Sequence, residues 1–272
     1  MAPLLAISGL DVHFGAVHAV RNVSLSIDEG EVLGLVGESG SGKSATALAI
    51  PGLHPLSATV GGQIVFLGKE LLGLPSRRLR ELRGSQIAMI FQEPMTALNP
   101  VMTIGRQIAE AAQAHSSSWT SREANRKAME ALESVGLPDA ARRFSDYPHQ
   151  FSGGQRQRIL IAMALINKPK LLIADEPTTA LDVTVQAQIL DLLRALQAEH
   201  RLSMLFISHD LAVVGQVASR VAVMRHGEVV EEGSCGRLLT HPEHPYTKSL
   251  LAAVPTMRSD RSQPLAQIVS GE

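Results

Sequence analysis

The sequence predicts an α/β fold in which a helical subdomain is inserted between two halves of the core. Three observations predict it. Val32-Leu-Gly-Leu-Val36 is an apolar run entering a glycine-rich loop, and the small and apolar residues 45–50 follow as a helix. Leu171-Leu-Ile-Ala174 and Met204-Leu-Phe-Ile207 read as strands buried on both faces, separated by a helical stretch at 183–199. Between the halves, residues 103–167 are rich in Ala, Glu, Arg and Gln, with helical spacing at Ile104, Ile108 and Ala111.

The other elements follow in order. Residues 4–36 read as short strands: Val23-Ser-Leu-Ser-Ile27 alternates with period two, and Asp28-Glu-Gly30 supplies a turn. Residues 63–67 and 86–91 also read as strands. Arg77, Arg78, Arg80 and Arg83, with Leu79 and Leu82, suggest a short helix with a solvated basic face; proximity to anionic lipid is the alternative. Ser121 with Ala124 and Asn125 opens a helix that Gly136 and Pro138 close. Two strands, 220–224 and 228–230, flank a turn at Gly227, and beyond Pro255 the tail is polar and reads as a linker.

Composition narrows the function classes. The 272 residues are 45% hydrophobic and 19% charged, enough for a core plus a subdomain. A balance of 25 basic and 26 acidic side chains gives no positive field for nucleic acid, and 3% aromatics leave few platforms for stacking bases. The lone cysteine, Cys235, excludes an intrachain disulfide framework, fits a reducing compartment and reads as an ordinary small residue. The longest purely apolar run is 159–166, far short of the ~20 residues a spanning helix needs. The N-terminus lacks the basic region of a secretory signal. These features predict a cytosolic protein that would reach a membrane only by docking onto something that spans it. His241 and His244, set among prolines and without other ligands, read as surface or packing residues.

Gly37-Glu-Ser-Gly-Ser-Gly-Lys43-Ser44 fits G-x-x-x-x-G-K-[ST] between an apolar strand and a helix. Its glycines let successive N–H groups turn toward phosphate oxygens. Lys43 would neutralise the β and γ phosphates, and the Ser44 hydroxyl would ligate Mg²⁺. Downstream, the strand Leu171-Leu-Ile-Ala174 ends in Asp175-Glu176. Strand ends of open parallel sheets are where ligands sit. Asp175 is suited to hold Mg²⁺ through water and Glu176 to act as general base on the attacking water.

Around these motifs the chain resembles the ATP-binding cassette (ABC) ATPases. Phe151-Ser-Gly-Gly-Gln155 is similar to their signature, with Phe in the usual Leu position; Phe91-Gln92-Glu-Pro94 resembles the Q-loop, Ala180-Leu-Asp182 the D-loop and Ile207-Ser-His209-Asp the switch histidine. Phe14 matches the aromatic residue that stacks on adenine. The elements stand in family order over roughly residues 4–255. Ile90-Phe-Gln-Glu-Pro-Met95, Leu98-Asn-Pro100, Tyr147-Pro-His-Gln150 and His244-Pro-Tyr-Thr247 are similar to the dipeptide, oligopeptide and nickel importer ATPases, but the cysteine-rich cluster-binding stretch of many members is not in this chain.

The resemblance implies an α/β P-loop core with an N-terminal antiparallel β subdomain and an inserted helical subdomain at about 95–167, within an ATPase domain at 1–255 followed by a tail at 256–272. It implies ATP hydrolysis with Mg²⁺, powering import of peptides or related solutes. The alternatives are nickel or metal-chelate import and a non-transport ABC ATPase. Glu176, His209, Gln92 and Lys43 would be catalytic. Nucleotide would bind Phe14, Gly37, Ser39, Gly40, Ser41, Gly42, Lys43, Ser44, Ala45 and Asp182, with Ser152, Gly154 and Gln155 completing the partner's site. Ser44, Gln92 and Asp175 would serve Mg²⁺. The implied partners are a second ABC ATPase subunit head to tail, two transmembrane permease subunits and, indirectly, an extracytoplasmic solute-binding protein, at the cytoplasmic face of the inner membrane. Met95 and Leu98 would line or support the groove that receives the permease, or simply pack internally.

Overall fold

The structure, a computed structural model, describes residues 2–92, 97–115, 119–179 and 181–252. The chain divides into two compact units, one made of Met1–Leu74 with Ser203–Glu272 and one of Pro75–Leu202.

The first unit opens with β1 (Leu5–Phe14) and β2 (Val17–Ile27), an antiparallel hairpin. These are long strands of 10 and 11 residues, not the short ones predicted. Register slips between Ile7 and Leu10, Leu10 and Val12, and Val12 and His13 break the period-two alternation that would have declared them. β3 (Val32–Val36) is buried throughout and leads through the glycine-rich loop to α1 (Lys43–Ala49). β4 (Ala58–Phe66) pairs with β1 and β5 (Lys69–Glu70) with β4, giving an antiparallel sheet in the order β2-β1-β4-β5.

The second unit starts with α2 (Ser76–Leu82), whose basic face is solvated as predicted, with Arg77 and Arg78 pairing to Glu81 at 3.7 and 3.0 Å. β6 (Ile87–Ile90) precedes the helices α3 (Ile104–Gln113), α4 (Ser121–Ser134), α5 (Ala140–Arg143) and α6 (Gly153–Leu165). β7 (Leu171–Asp175) pairs parallel with β6, and α7 (Val183–His200) follows. The helix limits have chemical causes. Thr120 and Glu123 cap α4 reciprocally, and Gly136, with φ of 66°, ends it in a conformation costly for other residues. The Asn167 amide donates to the carbonyls of Gly84 and Ala111 at 3.1 and 3.0 Å, tying the strand edge to α3. Leu98 is 3% exposed, so it packs internally; Met95 lies outside the described residues.

The chain then returns to the first unit. β8 (Ser203–Ser208) lies parallel to β3, which is parallel to β9 (Arg220–Arg225); β10 (Glu228–Ser234) closes antiparallel on β9. α8 (Leu211–Val214), α9 (Cys235–Thr240) and α10 (Pro245–Ala252) complete it. Gly34 inside β3 is required by this packing, since a Cβ there would stand 2.1 Å from Val214 Cγ1. Among the described residues no helix is long and apolar enough to cross a membrane.

Candidate functional site

In the first unit the site residues gather on the loop after β3. The loop curls because three glycines allow it. A Cβ at Gly37 would stand 2.3 Å from the Met224 carbonyl oxygen and one at Gly42 2.5 Å from that of Ala19, while Gly40 and Gly42 take φ of 81° and 103°. Lys43 is 5% exposed, and its ammonium donates to the carbonyl oxygens of Gly37 and Glu38, both at 2.7 Å. The lysine thus bridges the loop from within. Ser39, Gly40 and Ser44 face solvent, and Ser41 is buried under the loop. Phe14, at the end of β1, is half-buried, and His209 follows β8 exposed. Asp210 caps α8, accepting from the Ala212 and Val213 N–H groups at 2.8 and 3.3 Å.

The C-terminal helix adds a residue that the sequence reading missed. Tyr246 of α10 is 3% exposed, and its hydroxyl accepts the Glu38 N–H at 3.1 Å. The Arg225 guanidinium lies over its ring at 5.0 Å. Burial pushes the Tyr246 phenol above its ordinary 10.0, so it stays a neutral hydroxyl at neutral pH. Glu231 anchors the approach to α10 by accepting the N–H groups of Glu243 and His244 at 2.8 and 3.0 Å. Burial works to raise the Glu231 pKa, but those N–H groups together with the Thr247 hydroxyl and the neighbouring His244 outweigh it and hold the carboxyl below its ordinary value.

In the second unit β7 delivers Asp175, 5% exposed, and Glu176 at its end. Glu176 sits at φ of 48°, the left-handed region that side chains rarely adopt. Its carboxylate oxygen Oε2 accepts from the Thr179 hydroxyl at 2.8 Å and the Gln92 amide at 3.2 Å. Gln92 and Glu176, each expected to act on the attacking water, are brought into contact, and Thr179 is an addition. Thr179 was findable, because a hydroxyl three residues after a strand-end carboxylate folds back on it through the turn that the Thr179 N–H closes to the Glu176 carbonyl.

The signature-like segment opens α6. Ser152 and Gln155 form a reciprocal cap, with the Gln155 N–H donating to Ser152 Oγ at 3.4 Å and the Ser152 N–H to Gln155 Oε1 at 3.1 Å. Ser152 is exposed, and a Cβ on Gly154 would meet Val185 Cγ1 of α7 at 2.4 Å, so Gly154 is also a packing glycine. Phe151, standing in the usual Leu position, is buried with the Arg143 guanidinium 3.9 Å above its ring; the same guanidinium donates to Gln155 Oε1 at 3.3 Å. Asp182 caps α7, accepting the Val185 N–H at 3.0 Å. Ala180 lies outside the described residues.

Comparison with known proteins places this arrangement. The family model described as ABC transporter matches residues 20–179, and that of the oligopeptide/dipeptide transporter C-terminal region matches 230–271. The chain is 50% identical over 271 residues to the oligopeptide transport ATP-binding protein OppD of Bacillus subtilis, covering 97% of this chain and 75% of that protein. It is 53% identical over 272 residues to the peptidoglycan transport ATP-binding protein YejF of Agrobacterium fabrum, covering 97% of this chain and 50% of that protein. Among solved structures, the dimeric post-hydrolysis state of the ATP-binding cassette MJ0796, bound to ADP and Pi, matches with a TM-score of 0.75 and 29% identity over 85% of this chain and 98% of that one. Motif order, loop geometry and relatives half-identical over nearly the whole length agree: this chain belongs to the ABC transporter family, as an α/β P-loop ATPase.

Proposed function

We propose that this chain is the ATP-hydrolysing subunit of an importer for peptides or related small solutes. The observation that carries the ATPase chemistry is the pair of donors on Glu176, which holds a strand-end carboxylate in one orientation at a strained backbone position. The peptide cargo is supported by the names of the half-identical relatives and by the C-terminal-region match at 230–271.

On this reading residues 1–255 form the ATPase domain, with the helical subdomain at about 95–167 and a tail at 256–272. Adenine stacks on Phe14. The phosphates lie along the N–H groups from Gly37, Ser39, Gly40, Ser41 and Gly42 to Ala45, and Lys43 transfers its donors from the loop carbonyls to phosphate oxygens. Glu176 takes a proton from the attacking water, which Gln92 and His209 help to orient. Ser44, Gln92 and Asp175 offer hydroxyl, amide and carboxylate oxygens, the hard donors that Mg²⁺ takes; when bound, the ion supplies charge neutralisation at the phosphates. Asp182 joins the nucleotide-binding set, and Ser152, Gly154 and Gln155 complete the nucleotide site of a second ABC subunit placed head to tail. Two permease subunits couple closure of the pair to solute movement at the cytoplasmic face of the membrane, with a solute-binding protein delivering cargo outside. A bound γ-phosphate favours the closed pair through contacts that hydrolysis removes.

The test is uptake. Cells deleted for this chain should lose accumulation of a radiolabelled tripeptide and regain it with a plasmid-borne copy. Equal uptake with and without the chain would remove the peptide reading and leave the ATPase one standing.

A further inference from the structure

Beside Phe14, the proposed adenine-stacking residue, the tip of the β1–β2 hairpin gathers three ligating side chains. Asp11 and His13 stand two residues apart in β1, so their side chains leave the same face of the sheet. Val12 faces Val20, so an unbroken register would set His13 opposite Ala19; the slip after Val12 sets it opposite His18 instead. The two imidazoles stack at 3.9 Å between centroids and 17° between planes. His18 Nε2 lies 2.8 Å from Asp11 Oδ1, and the Asn22 N–H donates to the same oxygen at 3.3 Å, fixing the carboxylate. One ligand atom from each of Asp11, His13 and His18 lies within 4.8 Å of the other two.

We propose that Asp11, His13 and His18 form a binding site for a zinc-class divalent ion. Donors ~2.0–2.1 Å from one ion stand about 2.9 Å apart at a right angle and about 3.4 Å apart at the tetrahedral angle, so the hydrogen-bonded Asp11–His18 pair at 2.8 Å is near the right-angle spacing and opens by about half an ångström to ligate tetrahedrally. His13 offers the third ligand atom within 4.8 Å of the other two. Two imidazoles with one carboxylate select Zn²⁺, Ni²⁺ or Cu²⁺ over Mg²⁺ or Ca²⁺. The side chains of His18 and Asp11 are 32% and 39% exposed, which gives an ion an entry path and leaves further positions to water. The hairpin backbone supplies a rigid support, and the Asn22 N–H plays the orienting part that outer hydrogen bonds play at metal sites.

Calorimetric titration of the nucleotide-free chain with Zn²⁺ tests this, alongside Co²⁺ absorption as a reporter of ligand type and geometry. The expected result is one saturable site, weakened roughly tenfold or more by Asp11→Asn, His13→Ala or His18→Ala and unchanged by His241→Ala. Circular dichroism confirms that each variant is folded, and Asp11→Asn, which keeps the side-chain shape, serves if a histidine variant is not. Absence of saturable Zn²⁺ binding, or binding that persists unchanged in all three variants, would overturn the site.

Discussion

Two helix starts in this molecule are built on opposite plans. α1 begins at Gly42, in the left-handed region, with no side-chain hydrogen bond at its cap; α6 begins at Ser152 with both halves of a reciprocal cap in place. At the first, no side chain occupies the helix cap, so the N–H groups there keep their capacity for an anion, while Lys43 on the Gly37 and Glu38 carbonyls and Tyr246 on the Glu38 N–H brace the rest of the loop. At the second, Ser152 and Gln155 spend hydrogen bonds on each other. The loop proposed to wrap phosphate is written in glycine, while the turn proposed to face another subunit is held first by its own side chains.

The largest effects should come where one group does chemistry. Glu176→Gln should lower turnover ~10²–10⁴-fold while keeping nucleotide binding, whereas Lys43→Ala should lose both. Fluorescent-nucleotide titration beside an ATPase assay separates them, and near-normal turnover in Glu176→Gln would mean that the base is misassigned.

Ser152 sharpens the comparison directly. Ser152→Ala should cost about 1 kcal/mol of stability through the lost cap. Ser152→Asp keeps a capping oxygen but adds negative charge where a partner's phosphate is proposed to sit. Its thermal midpoint should match wild type while its ATPase falls. If Ser152→Asp is as active as wild type, the residue is a cap and nothing more.

The smallest effect concerns the side-chain contact by which α10 reaches the phosphate loop. Tyr246→Phe keeps the ring beneath Arg225 but deletes the acceptor for the Glu38 N–H. A neutral hydrogen bond is worth about 1 kcal/mol. The KM for ATP should therefore rise by roughly fivefold or less, with kcat near wild type. A change confined to thermal stability would limit Tyr246 to packing.

What the sequence revealed follows the range of the physics involved. The phosphate loop was legible because its glycines and lysine are contiguous and each has a local reason. The Asp175–Glu176 strand end was legible because the apolar run before it announces the strand. The contact from Tyr246 to Glu38 joins residues 208 positions apart, and no local pattern encodes it. β1 and β2 were read too short because their register slips hide the alternation. The four-residue α8 gives too little helical period to detect, although Asp210 at its cap was in plain view. The three-residue hairpin cluster depends on one of those slips and could not be seen before the register was known.

The backbone of Glu176 carries an evolutionary cost. A left-handed glutamate is roughly 1–2 kcal/mol less comfortable than a residue suited to that region, so glycine at position 176 would relax the turn, at some cost in chain entropy. Selection for stability alone would thus be drawn to the very position whose carboxylate is proposed as the general base. A thermostabilised library screened only for folding should therefore be counter-screened at Glu176, where gains in robustness and losses of activity coincide.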